Sequence, residues 1–318
     1  MLSRVAEAIY WAGRYIERAE NTARLIRVNS HLMMDTPKGI SPGWEPLISI
    51  TGLGPEFEDN KNAPTERSVV KFLIGDIKNP NSIINSLGMA RENCRTVREI
   101  IPRTAWQRLN KLYLFAKENV SSGLTQKGRD QYLDGIISGS QQLNGLFASV
   151  MYQDEAWHFL RIGRDIERAE MTTRILDVRT SDLLTDAEEQ FEFRNLKSVQ
   201  WISILKSLSA YSIYRRTVHV RVNRSHALEF LFHDAKFPRS IAHCFTSVEE
   251  SIGMLANRDL PLKALRMVVH KLDKQNMEDL RQQELHDFID ELQIGIRQFH
   301  NVLEKQYFLS PFQNVSGE

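Results

Sequence analysis

Cysteine is nearly missing from this 318-residue chain, which has only Cys94 and Cys244. Two thiols this far apart exclude a disulfide framework and a cysteine-held metal, and they point to a reducing, cytoplasmic setting. Net charge is nearly missing too: 41 basic and 40 acidic side chains leave +1. No global field therefore draws the chain to nucleic acid or to an anionic membrane. No stretch approaches the ~20 apolar residues of a membrane helix, and Arg4 and Glu7 interrupt the opening as a secretory leader. No glycine-rich phosphate loop follows a strand, which argues against an ATPase acting alone. Ten prolines and sixteen glycines leave long segments without a helix breaker.

What is present is ordinary globular material, 42% hydrophobic and 25% charged, with enough length for a large core. Helical periodicity runs through 82–99, 105–119, 196–215 and, with a break or two, 262–307. Ser82 and Ser240 stand where N-caps are expected. No strand pairs are evident. The expected class is all-α.

The chain also repeats itself. Gly13-Arg-Tyr-Ile-Glu-Arg-Ala-Glu20 is echoed by Gly163-Arg-Asp-Ile-Glu-Arg-Ala-Glu170, and Asp76, Pro80, Ser82 and Ile83 are answered by Asp234, Pro238, Ser240 and Ile241. This predicts a helical bundle of two diverged, pseudo-symmetric halves, 1–147 and 148–318, forming one compact body. The first half carries a loop-rich stretch at 35–68. A hinge is expected near 121–151, where Gly123, Gly128, Gly135, Gly139 and Gly145 thin the helical pattern.

On a helical wheel, residues 10–28 place Trp11, Ala12, Tyr15, Ile16, Ala19, Thr22, Ala23 and Ile26 on one inward arc. The opposite arc mixes Arg14, Glu17, Arg18, Asn21 and Arg24 with Tyr10, Leu25 and Val28, which implies a second, partly buried face; Glu20 and Glu170 fall toward its edge. Arg14, Glu17, Asn21 and Arg24 stack along one side as an ion-pair ladder. The second copy repeats the mixture with Arg164, Glu167, Arg168 and Arg174. Two such helices can neutralise each other across a pseudo-twofold axis, which makes the ladder an internal lock. Equally, the arginines can hold an anion while Glu17 or Glu167 acts as acid or base. Both readings stand at the level of sequence.

Two further sites are weaker. The stretch 211–226 is the most basic in the chain, and Arg215 and Arg216 suit an anionic ligand; nucleic acid is not expected, because aromatic interleaving is sparse. His226, Glu229 and His233 share a helix face with metal-ligand spacing, though a surface histidine pair is the commoner meaning of that pattern.

The opening Met1–Arg24, together with Ala90–Arg98, Asp154-Glu-Ala-Trp157 and Phe237-Pro-Arg-Ser240, resembles the bacterial Alpha-E family over nearly the whole chain. The resemblance implies partnership with a circularly permuted ATP-grasp protein, in some cases with a transglutaminase-like protein too, in a peptide or amide ligation system. It implies no cofactor of the chain's own; ATP and Mg would enter through the ligase. The function expected is that of a helical accessory protein positioning an anionic peptide-like substrate. A stand-alone enzyme built on Glu17 and Glu167, or a purely structural interaction module, are the alternatives.

Overall fold

In a computed structural model, which describes residues 1–35, 43–58, 63–181, 191–277 and 280–309, the described residues form helices joined by turns, without a strand. In chain order these are α1 (Ser3–Asp35), α2 (Glu45–Thr51), α3 (Gly54–Glu58), α4 (Glu66–Gly75), α5 (Ile83–Thr96), α6 (Arg103–Glu118), α7 (Val120–Gly123) and α8 (Gln126–Val150). There follow α9 (Glu155–Ser181), α10 (Phe191–Ser207), α11 (Tyr211–Val218), α12 (Arg224–His233), α13 (Ile241–Gly253), α14 (Asp259–Lys274) and α15 (Gln282–Tyr307). None is long and apolar enough to cross a membrane.

α1 and α9, the two helices bearing the repeated segment, pack against each other at the centre. α1 also packs on α5 and α8, α5 on α6, and α6 on α8. On the other side α9 packs on α13 and α15, α13 on α14, and α14 on α15. The central crossing is close because each helix offers a glycine to the other's backbone. A β-carbon on Gly13 would strike the carbonyl oxygen of Leu160, and one on Gly163 would strike that of Tyr10. Each glycine thus sits on the residue three before the other, and no larger side chain fits between.

The caps follow sequence chemistry. Ser82 Oγ accepts from Asn85 N at 3.3 Å and starts α5, while Ser240 Oγ accepts from His243 N at 3.2 Å and starts α13. Ahead of each cap, Asp76 accepts from Lys78 N and Asp234 from Lys236 N, both at 2.9 Å, closing the same Asx turn.

Three expectations change. The stretch 121–151 is no hinge, because most of it is the unbroken helix α8. Its glycines admit neighbours: added β-carbons on Gly135 and Gly139 would meet Phe115 and Leu112 of α6. Packing, which a propensity argument cannot see, outweighs the roughly 1 kcal/mol that each glycine costs a helix. The helix expected over 196–215 breaks between α10 and α11, where Ser209 takes a left-handed φ of 55°. Within 35–68, residues 36–42 and 59–62 lie outside the described residues, and the rest is more helical than expected, with α2, α3 and the start of α4.

Candidate functional site

The charged face of α1, expected to be partly buried, is buried except at Arg18. Glu17 and Glu20 are 0% exposed, and Arg14, Asn21 and Arg24 are buried as well. Trp11 and Tyr15 are partly exposed, so the wheel's inward arc reaches solvent at its aromatic edge. Contact with α9 on one side and α5 and α8 on others leaves α1 covered nearly all round, and charge must then be met by charge.

It is met mostly between helices. Arg14 donates from Nε to Glu167 at 2.7 Å and from Nη2 to Glu170. Arg18 approaches Glu167 with Nε at 2.6 Å and Nη2 at 2.9 Å, and its Nη1 donates to Asn81 at 2.7 Å. In return Arg168 places Nε 3.0 Å from Glu17 Oε2, though off the line of a well-directed hydrogen bond. The Glu of each Glu-Arg pair therefore faces the Arg of the other. Arg24 with Glu20, Arg174 with Glu170, and Arg164 with Asp165 pair along their own helices, but Glu17 and Glu167 are met from the opposite helix, so the single-helix ladder expected from the 3, 4, 3 spacing is largely replaced by a crossed one.

Arg239, just before the cap of α13, completes the interior. It donates to Glu17 at 2.6 Å, to Asn21 at 2.7 Å and to Glu20 at 2.8 Å. Glu20 is consequently central, not peripheral as the wheel suggested; Glu170 does remain partly exposed. Asp165, which stands where the first copy has Tyr15, accepts from Arg164 at 2.7 and 3.0 Å and from Ser247. Arg239 and Asn81 hold equivalent places in the two repeats, each next to the cap serine. That correspondence is the signal which could have marked them.

The electrostatics follow from this pairing. Burial alone would raise the Glu17 and Glu167 carboxyls. For Glu17, Arg168 and Arg239 outweigh it, and for Glu167, Arg18 and Arg14 do, which brings Glu167 down to about 2. Burial likewise raises Asp165, but Arg164 and Arg168 hold it below its usual range. Arg24 is shifted down by burial and by Arg239 beside it.

Arg18 and Arg174 line one small crevice with Thr22, Thr51, Asn81, Glu167, Glu170 and Met171, of about 40 Å³. Arg215 and Arg216 do not join this site. Both are exposed, and Arg215 stacks on Tyr211 beside a separate cavity lined from α10 and from residues 219–222. The three suggested metal ligands do not converge. His233 spends Nδ1 on Glu229 and Nε2 on the Leu272 carbonyl, while the His226 ring bonds Asn223. Among the described residues the group with ligand-like proximity is Asp177, His286 and Asp290. There His286 is already held by Asp177 at 2.5 Å.

The model of the Alpha-E family, described as a predicted alpha-helical domain with a conserved ER motif, matches residues 1–308. An uncharacterized protein of Mycobacterium bovis is 24% identical over 258 residues, which is 76% of this chain and 28% of that protein. An uncharacterized protein of Mycobacterium tuberculosis is 23% identical over the same shares. The chain thus spans less than a third of the length of the curated relatives it matches. No solved structure matches it.

Proposed function

The chain belongs to the Alpha-E family, and from that premise we propose that it is a cytoplasmic helical accessory protein of an ATP-grasp ligase, positioning an anionic peptide-like substrate. The observation that carries the reading is a surplus of positive charge. Arg14, Arg18, Arg24, Arg164, Arg168, Arg174 and Arg239 are seven cations, whereas Glu17, Glu20, Asp165, Glu167 and Glu170 are five carboxylates. The cluster reaches the surface at the crevice that Arg18 and Arg174 line together with Glu167 and Glu170, whose volume suits a single carboxylate group and not a whole substrate. The rest of such a substrate would lie on the partner. Most of the length of the mycobacterial relatives falls outside the matched region, which fits a component that works joined to, or docked on, other domains.

The stand-alone enzyme is the weaker alternative. A carboxylate held near 2 by two arginines stays ionised at neutral pH and is a poor proton acceptor, and Glu17 is 0% exposed. The paired helices also fit the purely structural module, whose chief prediction is that the crevice is irrelevant to turnover.

Co-expression with a circularly permuted ATP-grasp protein of the same organism separates the three readings. The accessory reading expects a stable complex in which Arg174→Gln keeps docking but raises the KM of the ligase for its acidic substrate. A complex whose kinetics ignore Arg174→Gln supports the structural module. Loss of turnover in Glu167→Gln, with docking and KM intact, supports the enzyme. Failure to form any complex removes the proposal.

A further inference from the structure

A second cavity, of about 650 Å³, opens away from the crossed glutamates and arginines. Its walls come from the C-terminal turns of α1, from Trp44 ahead of α2, from Glu66 at the start of α4, and from the first turns of α8. The volume falls within the range of roughly 300–1,000 Å³ common for small-molecule sites.

Its most unusual wall residue is Arg129, which is 5% exposed. The guanidinium lies 5.6 Å from the centre of the Trp44 ring and donates from Nη1 to Glu66 at 2.8 Å, with Ser30 Oγ at 3.4 Å. Nε has no acceptor among the described residues. A buried donor left unmet is destabilising, the more so on a charged group. Trp44 and Glu66 hold the arginine in a single orientation at the wall of an open space. That is how a binding arginine is preorganised.

The remaining lining indicates what would fill the space. Met33, Met34, Trp44 and Leu133 supply apolar surface, and methionines adapt to irregular shapes. Arg27 is engaged by Asp130 at 3.0 Å and Asp134 at 2.8 Å, whereas Lys127, exposed in the first turn of α8, has no acidic partner among the described residues. Arg129 is paired with Glu66, and Arg27 with Asp130 and Asp134, which leaves Lys127 as the lining cation without a carboxylate of its own. One unpaired lysine beside Arg129 suits a monoanion, and Glu66 and Asp130 in the lining repel a dianionic phosphate.

We propose that this cavity is a binding site for a small monoanionic carboxylate with an apolar body, its carboxylate taken by Arg129 and Lys127 and its body by Trp44, Met33, Met34 and Leu133. The site does not rest on the ligase reading, since it shares no residue with the crevice between Arg18 and Arg174.

The probes are N-acetyl-leucine, N-acetyl-methionine and N-acetyl-phenylalanine, their uncharged amides, and phenyl phosphate, titrated into the full chain by calorimetry and by ligand-detected NMR. At least one acid is expected to bind about tenfold more tightly than its amide, with phenyl phosphate weaker than the acids. Lys127→Glu, an exposed change that leaves the fold intact, lowers acid affinity several-fold and leaves the amides untouched. Arg129→Gln abolishes the preference for acid over amide. Equal binding of acids and amides, no binding by any acid, or an unchanged acid affinity in Lys127→Glu overturns the proposal. Tighter binding of the phosphate overturns the assigned ligand class.

Discussion

Arg239 donates to Glu17 at 2.6 Å across 222 residues of chain, and through this bond the cap of α13 reaches the first Glu-Arg pair. The same guanidinium serves Asn21 and Glu20. It joins Glu17, Glu20 and Asn21 of α1 to the segment that leads into α13.

Removing it should therefore cost more than removing a surface ion. Arg239→Met leaves Glu17 and Glu20 buried with reduced compensation, and the expected loss is about 3–5 kcal/mol, the range for breaking a buried pair. Urea denaturation measures it. The double variant Glu17→Gln with Arg239→Met should recover part of that loss, because it removes the charge that the single variant strands. A double variant as unstable as the sum of the singles would show that the pair contributes no coupling.

Gly13→Ala and Gly163→Ala test the crossing of α1 and α9. Alanine gains about 1 kcal/mol over glycine in helix propensity. Its methyl, however, would press on the Leu160 or Tyr10 carbonyl, a backbone atom that cannot swing aside, and overpacking costs about 1–3 kcal/mol or more. The clash should win, lowering the melting temperature in both variants. Stabilisation of either would contradict the packing described.

Acid should unfold the chain through the crossed pairs. Glu167 is depressed from an ordinary value of 4.5 to about 2, so its contribution is complete above 4.5 and lost as pH falls toward 2. Glu17, Glu170 and Asp165 shift in the same direction and add to the slope. Unfolding free energy followed from pH 7 to pH 3 should be flat and then fall. Glu167→Gln should flatten the fall while lowering the plateau, and an unchanged slope would assign the acid sensitivity to other groups.

The two thiols should be inert in the native state. Burial pushes Cys94 up to about 12 and raises Cys244 as well. A thiol-specific chromogenic reagent at pH 8 should label neither before unfolding and both in strong urea. Rapid labelling of either in native buffer would show that its helix opens.

The helical class, the caps at Ser82 and Ser240 and the polar second face of α1 were legible because each depends on neighbours within a few residues. The partners of that face were less so. Glu17 and Glu167 looked like members of ladders along their own helices, since sequence spacing reports intrahelical neighbours and is silent on a crossing. Arg239 was hidden for the same reason, although the residue between Pro238 and Ser240 matches Asn81 between Pro80 and Ser82, and both positions reach a Glu-Arg pair. The glycines of α8 misled because glycine marks a break and a close approach alike. Nothing in the local pattern distinguishes Arg129, whose burial depends on Trp44 and Glu66.

The backbone contacts at Gly13 and Gly163 carry a mechanical consequence. Where side chains interdigitate, helices can slide by exchanging rotamers; where a peptide group rests directly on a peptide group, there is nothing to rearrange. The two central rods therefore act as a keyed joint that turns as one piece. Sliding of one rod along the other is thereby blocked at the crossing, and rearrangement of the bundle falls to the outer helices and the turns that carry them.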